Sequence, residues 1–435
     1  MQVEFDALIV QGIWVLVPPP PNKNIVGSKW IYKVKKNLDG SVSRYKARLV
    51  AQGFSQEQGL DYDETFSHVP QGFEDAIHSS HVCKLLKSLY GLKQAPRAWN
   101  AKFTSYLPTL GFTLSHSDPS LFVKHTGTDI VLLLFYVDDI IVTGSSSTLV
   151  QSVITDLGEV FDMKDMGKLT YFLGLEISYL SNGDIFVNQA KYLRDLLKKA
   201  TMVECKPCST PAKPHQQFLR DEGVSLQDPT TYRSLVGALQ YLTFTRPDIA
   251  YAVNFSNVFS DISRVPLIMV SLTLQSDMQL LVYNDSDWAG DPNTRRSTTG
   301  YVVYLGNNPI SWQSKKQTSV SRSSTEAEYK ALAHSAFEVS WILQILKDMH
   351  FFLAAPPLLH CDNLSALSLS SNPVFHSRIK HLDTDFHFAH ERVQRGDIHV
   401  QYVPTQEQVV DVLTRGLHRP VFLQHCSNLK LGPPD

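Results

Sequence analysis

Cysteine is scarce: Cys83, Cys205, Cys208, Cys361 and Cys426 are the five in 435 residues. An odd, scattered set is no disulfide framework of the secreted kind, and it fits a reducing intracellular compartment, cytoplasmic or nuclear. Cys205-Lys206-Pro207-Cys208 has the spacing of half a zinc knuckle, but no second Cys or His pair stands at zinc-site distance, so a loop is expected there. Long apolar runs are missing as well. Ile130–Phe135 has the length of a strand, and Met1–Val10 carries acids, so neither a membrane span nor a secretion signal is expected. Nor does one sign of charge dominate. Lys and Arg number 40 against 42 Asp and Glu, a net charge of −2, which excludes a uniformly basic polyanion binder but not a locally basic one.

What is present is a chain too long for one core, with 43% hydrophobic residues to build two or three. Basic residues cluster. Between Asn22 and Arg48, eight of them (Lys23, Lys29, Lys33, Lys35, Lys36, Arg44, Lys46, Arg48) face the single acid Asp39. From Ala76 to Ser117 there is no acid, while Lys84, Lys87, Lys93, Arg97 and Lys102 occur. Such stretches make either a phosphate-facing surface or a solvated face. Trp30 to Lys35 alternates with period two, Asn37-Leu38-Asp39-Gly40 signals a turn and Arg44 to Val50 returns, which predicts a basic hairpin. A helix entered at Pro96 is expected within Gly91–Leu110. Asp129 to Thr143 reads as two apolar strands joined at Asp138-Asp139. Pro, Thr, Lys and Gln from Ala200 to Asp228 mark a linker, Tyr232–Tyr241 reads as helical, and Phe255–Met278 shows no usable period. The expected domains are 1–198, a linker region over 199–279, an α/β domain over 280–420 and a tail over 421–435.

The last domain is where chemistry is expected. Strands at 281–284, 300–305, 358–361 and 398–403 and a helix from Ser324 to about Asp348 suggest a mixed α/β layer. Asp285, Glu328, Asp362 and Asp411 then fall where strands end or helices begin, which is the layout of a two-metal nuclease. Two-metal phosphodiester cleavage needs several acids holding divalent ions about 3.5–4 Å apart, and oxygen-only ligation suits magnesium. Asp285 and Asp287 share one face of a strand, so both are eligible. Glu326 and Glu328 point to nearly opposite sides of a helix, and Ser323-Ser324-Thr325-Glu326 fits a capping box that occupies Glu326 and leaves Glu328 available. Thr405-Gln406-Glu407-Gln408 repeats the capping pattern and would place Asp411 in the first turns of a final helix. Taken singly, each acid is also what an ordinary cap or surface carboxylate looks like. His376, His381, His387 and His390 near Asp383 and Asp385 form a second possible metal cluster, without an assignable role.

Several ordered blocks resemble copia-type retrotransposon polyproteins. Asp285-Ser286-Asp287-Trp288-Ala289-Gly290-Asp291, Arg295-Arg296-Ser297-Thr298-Thr299-Gly300-Tyr301, Ser311-Trp312-Gln313-Ser314-Lys315-Lys316-Gln317, Ser323-Ser324-Thr325-Glu326-Ala327-Glu328-Tyr329 and Cys361-Asp362-Asn363 are similar to that family's RNase H domain over nearly all of 282–417. Lys29 to Val34, Tyr45 to Val50, Asp61 to Phe66, Ser88 to Trp99, Tyr136-Val137-Asp138-Asp139, Tyr171 to Ile177 and Arg246 to Val253 are similar to its reverse transcriptase. The resemblance implies an α+β palm and fingers followed by an RNase H-like α/β domain with a mixed sheet. It also implies Mg2+, two ions per RNase H centre, held by Asp285 (the leading Asp of its block), Glu328, Asp362 and Asp411. Asp138, beside Asp139, would face the metals of the polymerase, Lys46 and Arg48 the incoming triphosphate, and Gln94, beside Arg97, the nucleotide or template. Partners would be an RNA–DNA hybrid and a template RNA or DNA, with no membrane.

Two departures from the pattern matter. Relatives carry a palm strand with Leu-Asp-Val-Lys-Asn-Ala-Phe where Ser67-His68-Val69 here runs straight into Pro70-Gln71-Gly72-Phe73, so the first polymerase Asp is missing. Losing that strand costs metal ligation and uncovers a sheet edge, and polymerase activity is not expected. The loop before Asp411, Val403-Pro404-Thr405, also lacks the His found in many RNases H. The expectation is an RNase H centre beside a disabled polymerase. The alternatives are a nucleic-acid binder with both centres silent and a non-functional product of a decayed element.

Overall fold

The computed structural model describes residues 2–36, 41–74, 80–206, 208–214, 219, 227–255, 269–272, 278–371 and 383–432. These form two compact units, Met1–Leu114 with Ser120–Val160, and Ser115–Pro119 with Phe161–Asp435. The division expected at 198/199 thus falls inside the second unit.

In the first unit a helix α1 (Gln2–Val10) precedes β1 (Trp14–Val17), β2 (Ile25–Val26), the hairpin strands β3 (Ser28–Lys36) and β4 (Val42–Ala51), β5 (Phe66–Ser67) and β6 (Val82–Leu85). β3 and β4 pair antiparallel as a two-stranded ribbon, as the alternation predicts, while the turn at 37–40 lies outside the described residues. The other four make a sheet in the order β1-β6-β5-β2 over a core of Ile13, Val26, Leu49, Leu89 and Leu92. Helix α2 (Ala95–Tyr106) begins with Pro96 in its first turn, where a missing N–H costs nothing. A second sheet, in the order β10-β9-β8-β7, uses β7 (Thr113–Leu114), β8 (Leu121–Thr126), β9 (Asp129–Tyr136) and β10 (Asp139–Gly144), and α3 (Ser147–Val160) follows. β10 is an edge strand whose Ile140, Ile141 and Val142 are only half-buried.

The second unit holds β11 (Tyr171–Phe172), β12 (Leu175–Tyr179), β13 (Ile185–Asn188), α4 (Ala190–Lys199), α5 (Thr230–Leu242), α6 (Ala250–Phe255) and β14 (Met269–Leu272). After these come β15 (Leu280–Ser286), β16 (Thr298–Leu305), β17 (Asn308–Lys316), α7 (Ser324–Asp348), β18 (Leu358–Cys361), α8 (Leu364–Ser371), α9 (Asp383–Gln394), β19 (His399–Tyr402), α10 (Asp411–Thr414), α11 (Arg419–Asn428) and β20 (Leu431–Gly432). Five strands form a mixed sheet in the order β17-β16-β15-β18-β19, with β15, β18 and β19 parallel and β16 and β17 antiparallel. β16 is buried on both faces. Tyr301 and Val303 pack with Ala336, Val339 and Ile342 of α7, whereas Val302 and Tyr304 pack with Leu239, Val253, Leu413 and Phe422 of the helices behind.

That second layer corrects two sequence expectations. Within 199–279, α5 and α6 cover the sheet, with Trp312 Nε1 donating to Thr243 O (2.8 Å) and a buried Arg246–Asp248 pair (2.7 Å) in the turn between them. Residues 421–435 include most of α11, whose Phe422 and Cys426 are buried, and Tyr304 donates to Asn428 O (3.2 Å), so this stretch is no tail. The helix expected at Tyr232–Tyr241 is present within α5, and the packing of α5, α6 and α11 against the sheet is decided by tertiary contacts, not by composition. Of Phe255–Met278, residues 269–272 pair with β13 and β20, and 256–268 and 273–277 lie outside the described residues. Ser115–Pro119 belongs here through Ser115 Oγ to Asp348 Oδ2 (2.7 Å) and Trp341 Nε1 to Ser117 O (3.2 Å). Among the described residues no helix is long and apolar enough to cross a membrane.

Candidate active site

β15 is central, and the chain leaves it toward β16 on one side while β18 flanks it on the other. A crevice beyond the carboxyl ends of parallel strands at such a switch point is a natural ligand position. Asp285 stands at the end of β15 and Asp362 immediately after β18. α7 brings Glu328: Ser323 Oγ accepts from Glu326 N (3.2 Å) to start the helix, and Glu326 is spent on Arg322 N (3.0 Å) and Lys330 (3.0 Å). The capping residue is as expected, although Glu326 reaches Arg322 N and not the N-cap's own N–H. Asp411 differs from expectation. Thr405–Glu407 is an isolated 3-10 turn, Thr405 Oγ1 donates to Asp362 Oδ2 (3.1 Å) instead of capping, and Asp411 opens the separate four-residue α10.

α10 reaches the sheet because residue 300 is glycine. Gly300 pairs with Asp285 across β16, and a Cβ there would lie 2.7 Å from Thr414 Cγ2 and 2.9 Å from Leu413 Cβ. This close approach lets Thr414 donate to Asp285 and Arg415 donate to Asp411 while its Nη2 lies 3.8 Å from Asp285 Oδ2. Ser286 N donates to Glu328 Oε1 (3.3 Å), and Glu328 Oε2 is buried with no hydrogen-bond partner, in a side chain only 6% exposed. Gln317, just after β17, ties β15, β16 and α7 together by donating from Nε2 to Ser286 Oγ, Thr299 Oγ1 and Ala327 O.

The electrostatics describe one coupled cluster. Burial and then the neighbouring Asp411 raise Asp285, with Asp362 adding and Arg415 and Thr414 opposing. Burial, then Asp285 and Asp362, raise Glu328 strongly. Burial raises Asp411 against the pull of Arg415. Asp287 also belongs to this region, pushed up to about 7 mainly by burial although Thr298 N donates to it. Carboxylates crowded where they resist ionisation call for a cation. Glu328, Cys361 and Asp362 place potential ligand atoms within 4.8 Å of one another. Sequence reasoning missed Arg415, Thr414 and Gly300. The four-residue spacing from Asp411 to Arg415 was the available signal, while the role of Gly300 depends on what packs over it.

The first unit presents its acids differently. Asp138 and Asp139 lie exposed at the crown of the β9–β10 hairpin. Val137 adopts a φ of 55°, strained for a β-branched residue, and Trp99 Nε1 clamps it by donating to Val137 O (2.6 Å). Trp99 in turn packs on Phe103 and Phe135, whose rings stack at 4.6 Å. Gln94 donates to Thr65 Oγ1 (3.0 Å), and its Oε1 is buried without a hydrogen-bond partner. Arg48 lies over Tyr90 at 4.6 Å, Lys46 is half-buried opposite Lys33, and Arg97 is exposed on α2. Asp61 has a structural task, accepting from Glu57 N (2.9 Å). In the histidine group, His390 Nδ1 meets Ser370 O (2.9 Å), and His376 and His381 lie outside the described residues.

Comparisons with known proteins follow this division. The family described as reverse transcriptase (RNA-dependent DNA polymerase) matches residues 11–71 and 68–214. The retrovirus-related Pol polyprotein from transposon RE1 of Arabidopsis thaliana is 42% identical, covering 99% of this chain and 33% of that protein. Its 488 aligned positions exceed the 435 residues here, so it contains segments without a counterpart in this chain. The corresponding polyprotein from transposon TNT 1-94 of Nicotiana tabacum is 34% identical over 99% of this chain and 37% of its own length. The chain therefore spans about a third of these relatives. A putative transposon Ty5-1 protein of Saccharomyces cerevisiae is 31% identical over 62% of this chain and 94% of its own length. Among solved structures, LC11-RNase H1 isolated from compost is 17% identical over 32% of this chain and 93% of that chain, with a TM-score of 0.24.

Proposed function

We propose, from the premise that this chain belongs to the family of copia-type retrotransposon Pol polyproteins, that its second unit carries an RNase H centre hydrolysing RNA in RNA–DNA hybrids. The observation that carries this reading is the buried, partnerless Glu328 Oε2 inside a cluster that also draws in Asp285, Asp362 and Asp411. An orphaned carboxylate oxygen at that depth is costly unless a cation meets it. The donor set is all oxygen once Cys361 is left aside, which fits magnesium. Asp285, Glu328, Asp362 and Asp411 would hold two such ions, which when bound activate water and stabilise the leaving oxygen.

The chain's own groups supply positioning. Thr405 fixes the rotamer of Asp362, Thr414 that of Asp285, and Gln408 Nε2 pins the loop before α10 to Asn284 O (2.9 Å). Sites held by such supporting contacts lose much of their activity when the supports move. In the first unit, Asp138 and Asp139 are the remainder of a polymerase centre in a palm and fingers lacking one strand; the half-buried edge of β10 supports that reading. The β3–β4 ribbon retains nucleic-acid affinity. Its basic residues Lys29, Lys33, Arg44, Lys46 and Arg48 lie along the two paired strands, a distribution that suits a phosphate backbone. Labelled RNA–DNA hybrid with Mg2+ tests the proposal: cleavage lost in Asp362→Asn supports it, and salt-sensitive binding without cleavage favours the non-catalytic alternative.

A further inference from the structure

Among the described residues, Arg415 is the cation that reaches the acid cluster. It donates to Asp411 Oδ1, and its Nη2 lies 3.8 Å from Asp285 Oδ2. Its side chain nevertheless stays 47% exposed, at the end of a four-residue helix on the open rim of the crevice. The oxygens it neutralises are ones that divalent ions would need. Two magnesium ions bring four positive charges to four carboxylates, and a guanidinium on the same oxygens both competes for them and repels the incoming ions. A long, half-exposed side chain can leave without disturbing the core. Its exposed part offers a guanidinium to an approaching backbone phosphate.

We propose that Arg415 couples metal binding to nucleic-acid binding: it closes on Asp285 and Asp411 when the cup is empty of metal, and it turns to a backbone phosphate when ions enter. This rests on the proposed RNase H reading. Thermodynamic reciprocity then requires each ligand to tighten the other, because both draw on the released arginine. Arg415 acts here as a positioning group, not as a metal ligand.

The test is calorimetric Mg2+ titration of the full chain, with and without an RNA–DNA hybrid whose RNA strand carries 2′-O-methyl ribose and so binds uncut. In the unmodified protein the hybrid should tighten Mg2+ binding about tenfold, within the usual range for linked sites. Arg415→Gln should bind Mg2+ more tightly without hybrid and lose most of the hybrid's enhancement, and Arg415→Lys should restore part of it. Equal enhancement in the unmodified protein and Arg415→Gln, or weaker metal-only binding in Arg415→Gln, overturns the coupling while leaving the RNase H reading intact. No Mg2+ binding in either protein overturns both.

Discussion

Two acidic constellations in this chain differ both in how the sequence spaces them and in how the fold presents them. At the β9–β10 crown, Asp138 and Asp139 are neighbours in the chain, exposed, and held by a strained turn clamped by Trp99. In the second unit, the buried Asp285, Glu328 and Asp411 and the half-buried Asp362 come from four distant segments and act on one another electrostatically. Sequence adjacency produces two carboxylates that water can reach. Convergence produces carboxylates whose ionisation burial and mutual repulsion oppose.

The contrast can be broken at either end. The largest effect is expected from Asp362→Asn or Glu328→Gln, which should reduce hybrid cleavage by more than about 100-fold, since even supporting residues around a metal cost about 10–100-fold. Asp138→Asn should leave cleavage unchanged, and equal losses in the two assays would erase the distinction. Gly300→Ala is the next test. Its methyl would meet Thr414 Cγ2 and Leu413 Cβ and push α10 away from Asp285, so Mg2+ affinity should fall about 10–100-fold by titration while helical content is kept.

On the other side, Trp99→Ala removes the donor to Val137 O and the packing against Phe103 and Phe135, and should destabilise the first unit by about 2 kcal/mol in urea denaturation without changing hydrolysis. The smallest effect is one of pH. Asp287 is raised to about 7 and its neighbours Asp285, Glu328 and Asp411 are raised too, so the folded state favours their protonated forms. Their contribution is complete below the ordinary carboxylate range and is lost as pH rises toward the raised values, so the melting temperature of the metal-free protein should fall as pH climbs from the ordinary carboxylate range to about 7. Mg2+ should offset the fall. A metal-free protein that gains stability over that window would contradict the clustering.

Much of the second unit was legible in the sequence because its signals are local. Strands near 281–284, 300–305 and 358–361 and the helix starting at Ser324 follow from apolar pattern and a capping serine. What stayed hidden depends on long-range packing. β17 carries Ser, Gln and two Lys among its apolar residues, and its pairing with β16 decides its state. α5 contains the stretch Tyr232–Tyr241 that reads as helical, but that α5, α6 and α11 cover the back of the sheet is something no window of residues reveals. The capping pattern at Thr405 misled because the hydroxyl serves Asp362, and Arg415 drew no notice because only α10's seat on Gly300 brings it to Asp285. In the first unit the positive φ of Val137 and its clamp by Trp99 left no trace in the sequence.

The account stands on the four carboxylates acting as one metal cup, and calorimetric Mg2+ titration of the full chain beside Asp285→Asn, Asp362→Asn and Asp138→Asn tests that directly. Saturable binding that both cup variants abolish and Asp138→Asn retains is the predicted result. Binding that survives in Asp285→Asn and Asp362→Asn, or that vanishes only with Asp138→Asn, would contradict it.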